Sequence, residues 1–175
     1  DGERYDADDP HTLRWNYATV VWGLATAHEK YHHKPLRGAQ IDRFYGEFIR
    51  VGEAIGGTDL PATKRDVLAY LERDRHLLRR PIHFDAISAA RLQGVEDDPL
   101  QRPFADLMEW AATEMQPGYV QSVVGFDRGN PLLAQLRIRT LQGICRVAHE
   151  LAGPIPEVAV ARKRILAGAR HPATV

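Results

Sequence analysis

Residues 9–32 read DPHTLRWNYATVVWGLATAHEKYH, and this stretch decides the fold class. Asp9 followed by Pro10 is an N-cap with a proline in the first helical turn, where a missing N–H costs nothing. From there Leu13, Tyr17, Val20/Val21 and Leu24 recur at helical spacing, and the stripe runs on through His28. Pro35 stops the helix, because the residue ahead of a proline is pushed out of the α region.

The same punctuation continues outward. Ile41, Phe44/Tyr45, Phe48 and Ile55 share one face of a second helix, which Gly56-Gly57 terminates. Thr63 with Asp66 resembles a capping box, with Asp in place of the preferred Glu, and opens a third helix that runs through Leu78 until Pro81 breaks it. Two shorter helices are expected at 84–93 and 103–115, separated by the turn-rich Glu96-Asp97-Asp98-Pro99. Asn130-Pro131 begins the longest late helix, striped by Leu133, Leu136, Thr140, Ile144, Val147 and Leu151 and stopped at Gly153-Pro154. A last basic helix is expected over 156–168. No segment alternates at period two for long enough to make a strand, and there is no internal repeat. The expected fold class is all-α.

Composition agrees with a single helical domain over residues 1–175. The chain is 44% apolar and 26% charged, neither disordered nor membrane-like. Twenty-three basic residues balance 23 acidic ones, which removes the usual electrostatic support for nucleic-acid binding. The longest uncharged run, Trp15 to Ala27, falls short of the ~20 residues that cross a bilayer, so no membrane span is expected. One cysteine excludes an intramolecular disulfide framework and fits a reducing compartment. The basic set is almost all arginine, with lysine only at Lys30, Lys34, Lys64 and Lys163; a GC-rich bacterial genome and a cytoplasmic location are the expectation. The chain opens on Asp1 without an initiator methionine, and a longer protein is expected.

Several constellations carry possible chemistry. His28-Glu29-Lys30-Tyr31-His32 is a literal H-E-x-x-H on a helix. Two histidines four apart share a face and can share a zinc, with Glu29 as general base and Glu47, on the next helix, as third ligand. Against this, Lys30 and Lys34 place positive charge in and beside the motif, and His32 sits in the last turn, where the helix dipole favours the protonated ring. The competing reading is a cluster of basic side chains facing the C-terminal carbonyls. Cys145 and His149 form a second i, i+4 pair, either a nucleophile or ligand pair or, on a helix that reads as buried, core.

Ser88 and Ser122 lie in no G-x-S-x-G elbow, and Gly125 to Gly129 make no phosphate-cradling loop. Asp6, Asp8 and Asp9 lack the pattern of a calcium loop and fit the positive end of the first helix instead. The late arginines Arg137, Arg139, Arg146, Arg162 and Arg164 fit carboxylates or a solvated face. Trp15 and Trp22, seven apart, share a face with Thr19 and Thr26; helical aromatic stripes are core by default, and otherwise wall a flat hydrophobic cofactor.

One pattern spans residues 2–72. Tyr5-Asp6-Ala7-Asp8-Asp9-Pro10 is followed by Leu13-Arg14-Trp15-Asn16-Tyr17-Ala18-Thr19 and Pro35-Leu36, then by Asp42-Arg43-Phe44-Tyr45-Gly46-Glu47 and by Leu60-Pro61-Ala62-Thr63 ahead of Tyr70-Leu71. In order and spacing this resembles the MpaB-like oxygenase family, which includes the rubber-degrading latex clearing proteins. The resemblance implies an all-helical, globin-related bundle, of which this chain is the C-terminal portion, its N-terminal helices preceding Asp1. It implies haem b, dioxygen activated at the iron, and cleavage of carbon–carbon double bonds in isoprenoid chains. A haem site needs an axial donor and a dry pocket. The family's axial histidine lies just before its G-x-x-Y-x-A-x-D-P stretch, here Gly2 to Pro10, and so is expected upstream of Asp1. Family members often have histidine where this chain has Tyr17.

Three functions follow from these readings. The first is a haem-dependent oxygenase-like protein acting on a hydrophobic small molecule and dioxygen, with Trp15, Tyr17, Thr19 and Glu47 expected to wall the cofactor or substrate pocket. The second is a zinc-dependent hydrolase through His28, Glu29, His32 and Glu47. The third is a non-catalytic helical module that offers an apolar face to a partner, without chromophore or metal.

Overall fold

The structure, a computed structural model, describes residues 8–78, 99, 101–152, 160 and 163. Among these residues lie six α-helices and no strand, so the chain is all-α as its patterning implies. The helices are α1 (Pro10–Tyr31), α2 (Ala39–Ala54), α3 (Lys64–Asp74), α4 (Gln101–Glu114), α5 (Gly118–Val124) and α6 (Pro131–Ala152), with a 3-10 turn over Arg75–Leu77 after α3.

α1 starts where its cap dictates. Asp9 Oδ2 accepts the Thr12 N–H at 2.8 Å and the Thr12 hydroxyl at 3.1 Å, which satisfies an orphan donor of the first turn. Those bonds hold the Asp9 carboxyl below the usual carboxylate range. The helix ends at Tyr31, earlier than Pro35 alone requires, because His32 turns extended at φ −73° and ψ 140°. α2 ends in a Schellman arrangement: Gly57 N–H bonds Gly52 C=O at 2.9 Å and Gly56 N–H bonds Glu53 C=O at 2.9 Å. Gly56 has φ +92° there, a left-handed conformation that suits glycine. Thr63 caps α3 by accepting the Asp66 N–H at 3.2 Å, and the expected run to Leu78 tightens into the 3-10 turn after Asp74.

α1 is the central element, packed against α2, α3 and α6. Its first half builds one core with α2 and α3 from Tyr17, Ala18, Val21, Trp22, Ala25, Tyr45, Val67, Tyr70 and Leu71. Burying Tyr17, Val21, Tyr45 and Val67 contributes on the order of 1.5–3 kcal/mol each. The packing is tight at Gly52, where a Cβ would lie 2.4 Å from Leu60 Cδ1 and 2.5 Å from Tyr17 Cδ2. The end of α1 builds a second core with α4 and α6 from Tyr31, Ala111, Ile138 and Leu141, with Leu107, Trp110, Met115 and Cys145 partly buried around it.

Two expected faces are rotated. On α1, Val20 and Leu24 are exposed, and the buried face is Tyr17-Ala18, Val21-Trp22 and Ala25. On α6, the stripe Leu133, Leu136, Ile144, Val147 and Leu151 is exposed, and Ala134, Ile138 and Leu141 point inward. Both helices carry apolar residues on more than one side, so tertiary neighbours rather than periodicity select the face. Ile55 likewise leaves its expected core face, since it is the exposed C-cap of α2. α5 was not expected. It is a seven-residue helix entered at Pro117 and closed by Gly125 at φ +71°. The expected helix at 84–93 lies outside the described residues, and of the expected 156–168 helix only Val160 and Lys163 are described, both helical. Among the described residues no helix is long and apolar enough to cross a membrane.

Candidate functional site

Where α1, α4 and α6 meet they leave an apolar cavity of about 460 Å³, within the ~300–1,000 Å³ of small-molecule sites. α1 and its C-cap supply Ala27, His28, Tyr31 and His32; α4 and the residue after it supply Met108, Ala111, Ala112 and Met115; α6 supplies Leu141 and Cys145. Small side chains on α1 and α4 keep the space open, and Met108 and Met115 give it adaptable walls.

Histidines gather on one side of this cavity. His28 and His32 stack with centroids 4.2 Å apart, His32 and His33 lie 4.5 Å apart, and His149 of α6 reaches His33 at 4.8 Å and His32 at 5.4 Å. Two motifs separate in sequence, the H-E-x-x-H and the Cys145/His149 pair, thus meet at one place. Burial is the main cause that lowers the pKa of His28, with His32 adding to it and Glu29 opposing. His33 is lowered by burial first, then by His32, His149, Lys34 and Arg146. Both rings are therefore neutral at pH 7. His28 Nδ1 accepts the Leu36 N–H at 3.4 Å, which puts the proton of the neutral ring on Nε2. His32 Nδ1 lies 3.0 Å from both the Lys34 C=O and the Lys34 N–H, so its tautomer is set by which of the two it pairs with. His33 Nδ1 is buried with no hydrogen-bond partner.

Behind Tyr31 lies a buried carboxylate. Glu114, at the end of α4, pairs with Lys30 of α1 and with Arg128 Nη2 at 3.0 Å. Tyr31 Oη donates to Glu114 at 3.5 Å and to the Ala111 C=O at 3.4 Å. Burial and then Glu114 push the Tyr31 phenol up to about 12, so the cavity contains a phenol and no phenolate. Gln142 Nε2 donates to the Lys30 C=O at 2.8 Å, giving α6 a hold on one of the orphan carbonyls at the end of α1.

The residues singled out from sequence are placed as follows. Trp15 packs on Tyr70 of α3, with ring centroids 6.2 Å apart. Tyr17 is buried and donates its hydroxyl to Pro61 C=O at 3.1 Å and to Tyr45 C=O at 3.4 Å; burial raises its pKa. Thr19 bonds back to Trp15 and Asn16 carbonyls, at 3.0 Å each. Glu47 is exposed and pairs with Arg43 at 2.7 Å. None of these four lines the cavity between α1, α4 and α6.

Glu29, the carboxylate of the H-E-x-x-H, is gripped at both oxygens by Lys64 Nζ at 2.7 and 2.9 Å. Among the described residues no group of three His, Cys, Asp or Glu side chains is arranged to hold a metal ion. Arg137 lies over the Trp110 ring at 5.1 Å. Asp6, Arg162, Arg164 and Ser88 lie outside the described residues.

Sequence reasoning passed over Met108, Ala111, Ala112, Met115 and Glu114. For Glu114 a signal exists. It continues the Leu107, Trp110/Ala111 stripe by one turn, and a charge on the apolar face of a helix marks a buried pair.

The family model described as ER-bound oxygenase mpaB/B'/Rubber oxygenase, catalytic domain, matches residues 1–150. No curated protein and no solved structure matches the chain. A match over most of its 175 residues, on an all-helical architecture, means that the chain belongs to the MpaB/rubber oxygenase catalytic-domain family.

Proposed function

We propose that this oxygenase-family chain takes part in a haem-dependent reaction of dioxygen with a hydrophobic small molecule, and that the cavity between α1, α4 and α6 receives the apolar group. The observation that carries the reading is a nearly wholly apolar cavity whose one polar side is a set of imidazoles. Such a surround fits haem or an apolar substrate, since both need dry walls and few, well-placed polar groups. Met108, Ala111, Met115 and Leu141 would pack against the bound group, and the family resemblance puts the axial histidine ahead of Asp1. Haem, when bound, supplies dioxygen activation. The chain's own part is to exclude water, to keep His28 neutral beside the cavity, and to fix the Tyr31 hydroxyl on Glu114 and Ala111 rather than on the ligand.

The zinc-hydrolase reading draws no support from the geometry, because Lys64 neutralises the carboxylate that would act as base. Trp15, Tyr17 and Thr19 belong to the packing of α1 and serve the site through it. The test is a spectrum of the full-length gene product expressed with haem supply. A Soret band near one haem per chain, with oxygen uptake that depends on an unsaturated apolar substrate, is the expected result. A folded, colourless protein overturns the haem part of the proposal.

A further inference from the structure

α6 has two apolar faces, and the fold uses one of them. Ala134, Ile138 and Leu141 point inward, while Leu133, Leu136, Ile144, Val147 and Leu151 lie in the open, Leu136 at 60% and Leu151 at 81% exposure. With Thr140 between them, the outer residues repeat every eleven positions: Leu133 and Ile144, Leu136 and Val147, Thr140 and Leu151. Eleven residues make about three helical turns. The stripe therefore keeps to one side of the helix along its 22 residues, and a straight neighbouring helix can follow it. A continuous apolar face of this kind marks an interaction surface.

Two further features of α6 say what covers it. Gly143 sits mid-helix at the edge of the stripe, where glycine weakens a helix relative to alanine. Apart from adjoining backbone, no atom comes within 4 Å of where its Cβ would be. The chain's own packing makes no use of that missing side chain, whereas a helix arriving from outside gains close approach by it. The flank that holds Gly143 also holds Arg139 and Glu150, again eleven apart and both exposed. Among the described residues neither is in an ion pair. Opposite charges spaced by one repeat are self-complementary in an antiparallel pair. About a two-fold axis level with Ile144, Arg139 of each copy meets Glu150 of the other; a parallel pair sets like charge against like. An anionic lipid surface would attract Arg139 and repel Glu150.

We infer that α6 pairs antiparallel with α6 of a second copy of this chain, with Gly143 and Ile144 at the crossing and an Arg139–Glu150 ion pair on either side of it. The cavity is walled by the other face of α6, through Leu141 and Cys145, so the pairing leaves it in place.

The test is the mass of the full-length protein by sedimentation velocity, where a dimer is expected at about 10 μM. Arg139→Glu and Glu150→Arg each set like charges together in their own dimers and are each expected to raise the dimer Kd about tenfold or more. An equimolar mixture of the two variants is expected to recover the parent's affinity, because every reversed side chain then meets an opposite charge. Gly143→Leu is expected to weaken the dimer without lowering the melting temperature. A monomeric parent overturns the proposal. So does a dimer that the single reversals leave unchanged, since it is built on another surface or in parallel. Single variants that stay dissociated when mixed overturn it as well.

Discussion

Glu114→Gln tests what ties the end of α1 to α4 and to the segment between α5 and α6. The Glu114 side chain is 4% exposed and receives Lys30, Arg128 and the Tyr31 hydroxyl. Breaking a fully buried ion pair costs about 3–5 kcal/mol, because the surviving charge is stranded away from water. Here the survivors are better placed. Arg128 is 56% exposed and Lys30 28%, so both can rehydrate, and Tyr31 keeps the Ala111 carbonyl. What is lost is a pair of charge-assisted hydrogen bonds, at about 1.5–3 kcal/mol for bonds to charged groups, partly recovered by the glutamine carbonyl. The expected destabilisation is about 2 kcal/mol. In urea, with a slope of about 2 kcal/mol per molar, that lowers the unfolding midpoint by about 1 M at unchanged slope. Arg128→Gln, at the exposed end, is expected to cost under about 1 kcal/mol. A Glu114→Gln midpoint within about 0.2 M of the parent would refute the claim that this carboxylate ties α1, α4 and the α5–α6 connection together.

Three further outcomes follow. Gly52→Ala drives a methyl into Leu60 and Tyr17 and is expected to destabilise by about 1–3 kcal/mol; a neutral result in thermal unfolding would mean that the α1–α2 contact is looser than described. Ala112→Trp, at an exposed position that lines the cavity, is expected to leave unfolding unchanged and to weaken binding of apolar ligands at least about tenfold; unaltered binding would move the ligand elsewhere. His28 and His33 have lowered folded pKa values, chiefly from burial, while the unfolded chain takes up these protons near about 6.5. Their contribution to stability is therefore complete above about pH 6.5 and is lost as pH falls through the lowered folded values. The melting temperature is expected to drop from about pH 7.5 to about pH 5, less so in His33→Gln, and an equal drop in that variant counts against the cluster's role.

What was legible in the sequence was the local chemistry of helix ends. Asp9-Pro10, Thr63 with Asp66, Gly56-Gly57 and Asn130-Pro131 each act through bonds to their own neighbours, so α1, α2, α3 and α6 begin or end close to where those residues put them. Which side of a helix turns inward was not legible on α1 and α6. Val20 and Leu24 are as apolar as Val21 and Ala25, and only the arrival of α2 and α3 chooses between them. α5 escaped notice because a seven-residue helix flanked by Pro117 and Gly125 has no room for a stripe.

The candidate site was half legible. His28, His32, Cys145 and His149 stood out as spacings, yet no local rule says that the end of α1 meets the second half of α6. Met108, Ala111, Ala112 and Met115 look like ordinary core residues until three helices fail to close over them. Tyr17 was expected to wall the cofactor or substrate pocket. The structure gives that side chain a packing role and a hydroxyl bonded to two carbonyls.

The chain offers a direct probe of the cavity between α1, α4 and α6. It contains two methionines, Met108 and Met115, and both line the cavity. With methyl-labelled methionine, the assigned Met108 and Met115 carbon–proton signals of the full-length protein report on this site while a small unsaturated apolar alcohol such as geraniol is titrated in. Both signals are expected to shift along one saturable curve with a common Kd, and Ala112→Trp is expected to abolish the shift. Methyl signals that stay in place while the ligand is bound would put the site elsewhere and contradict the cavity reading.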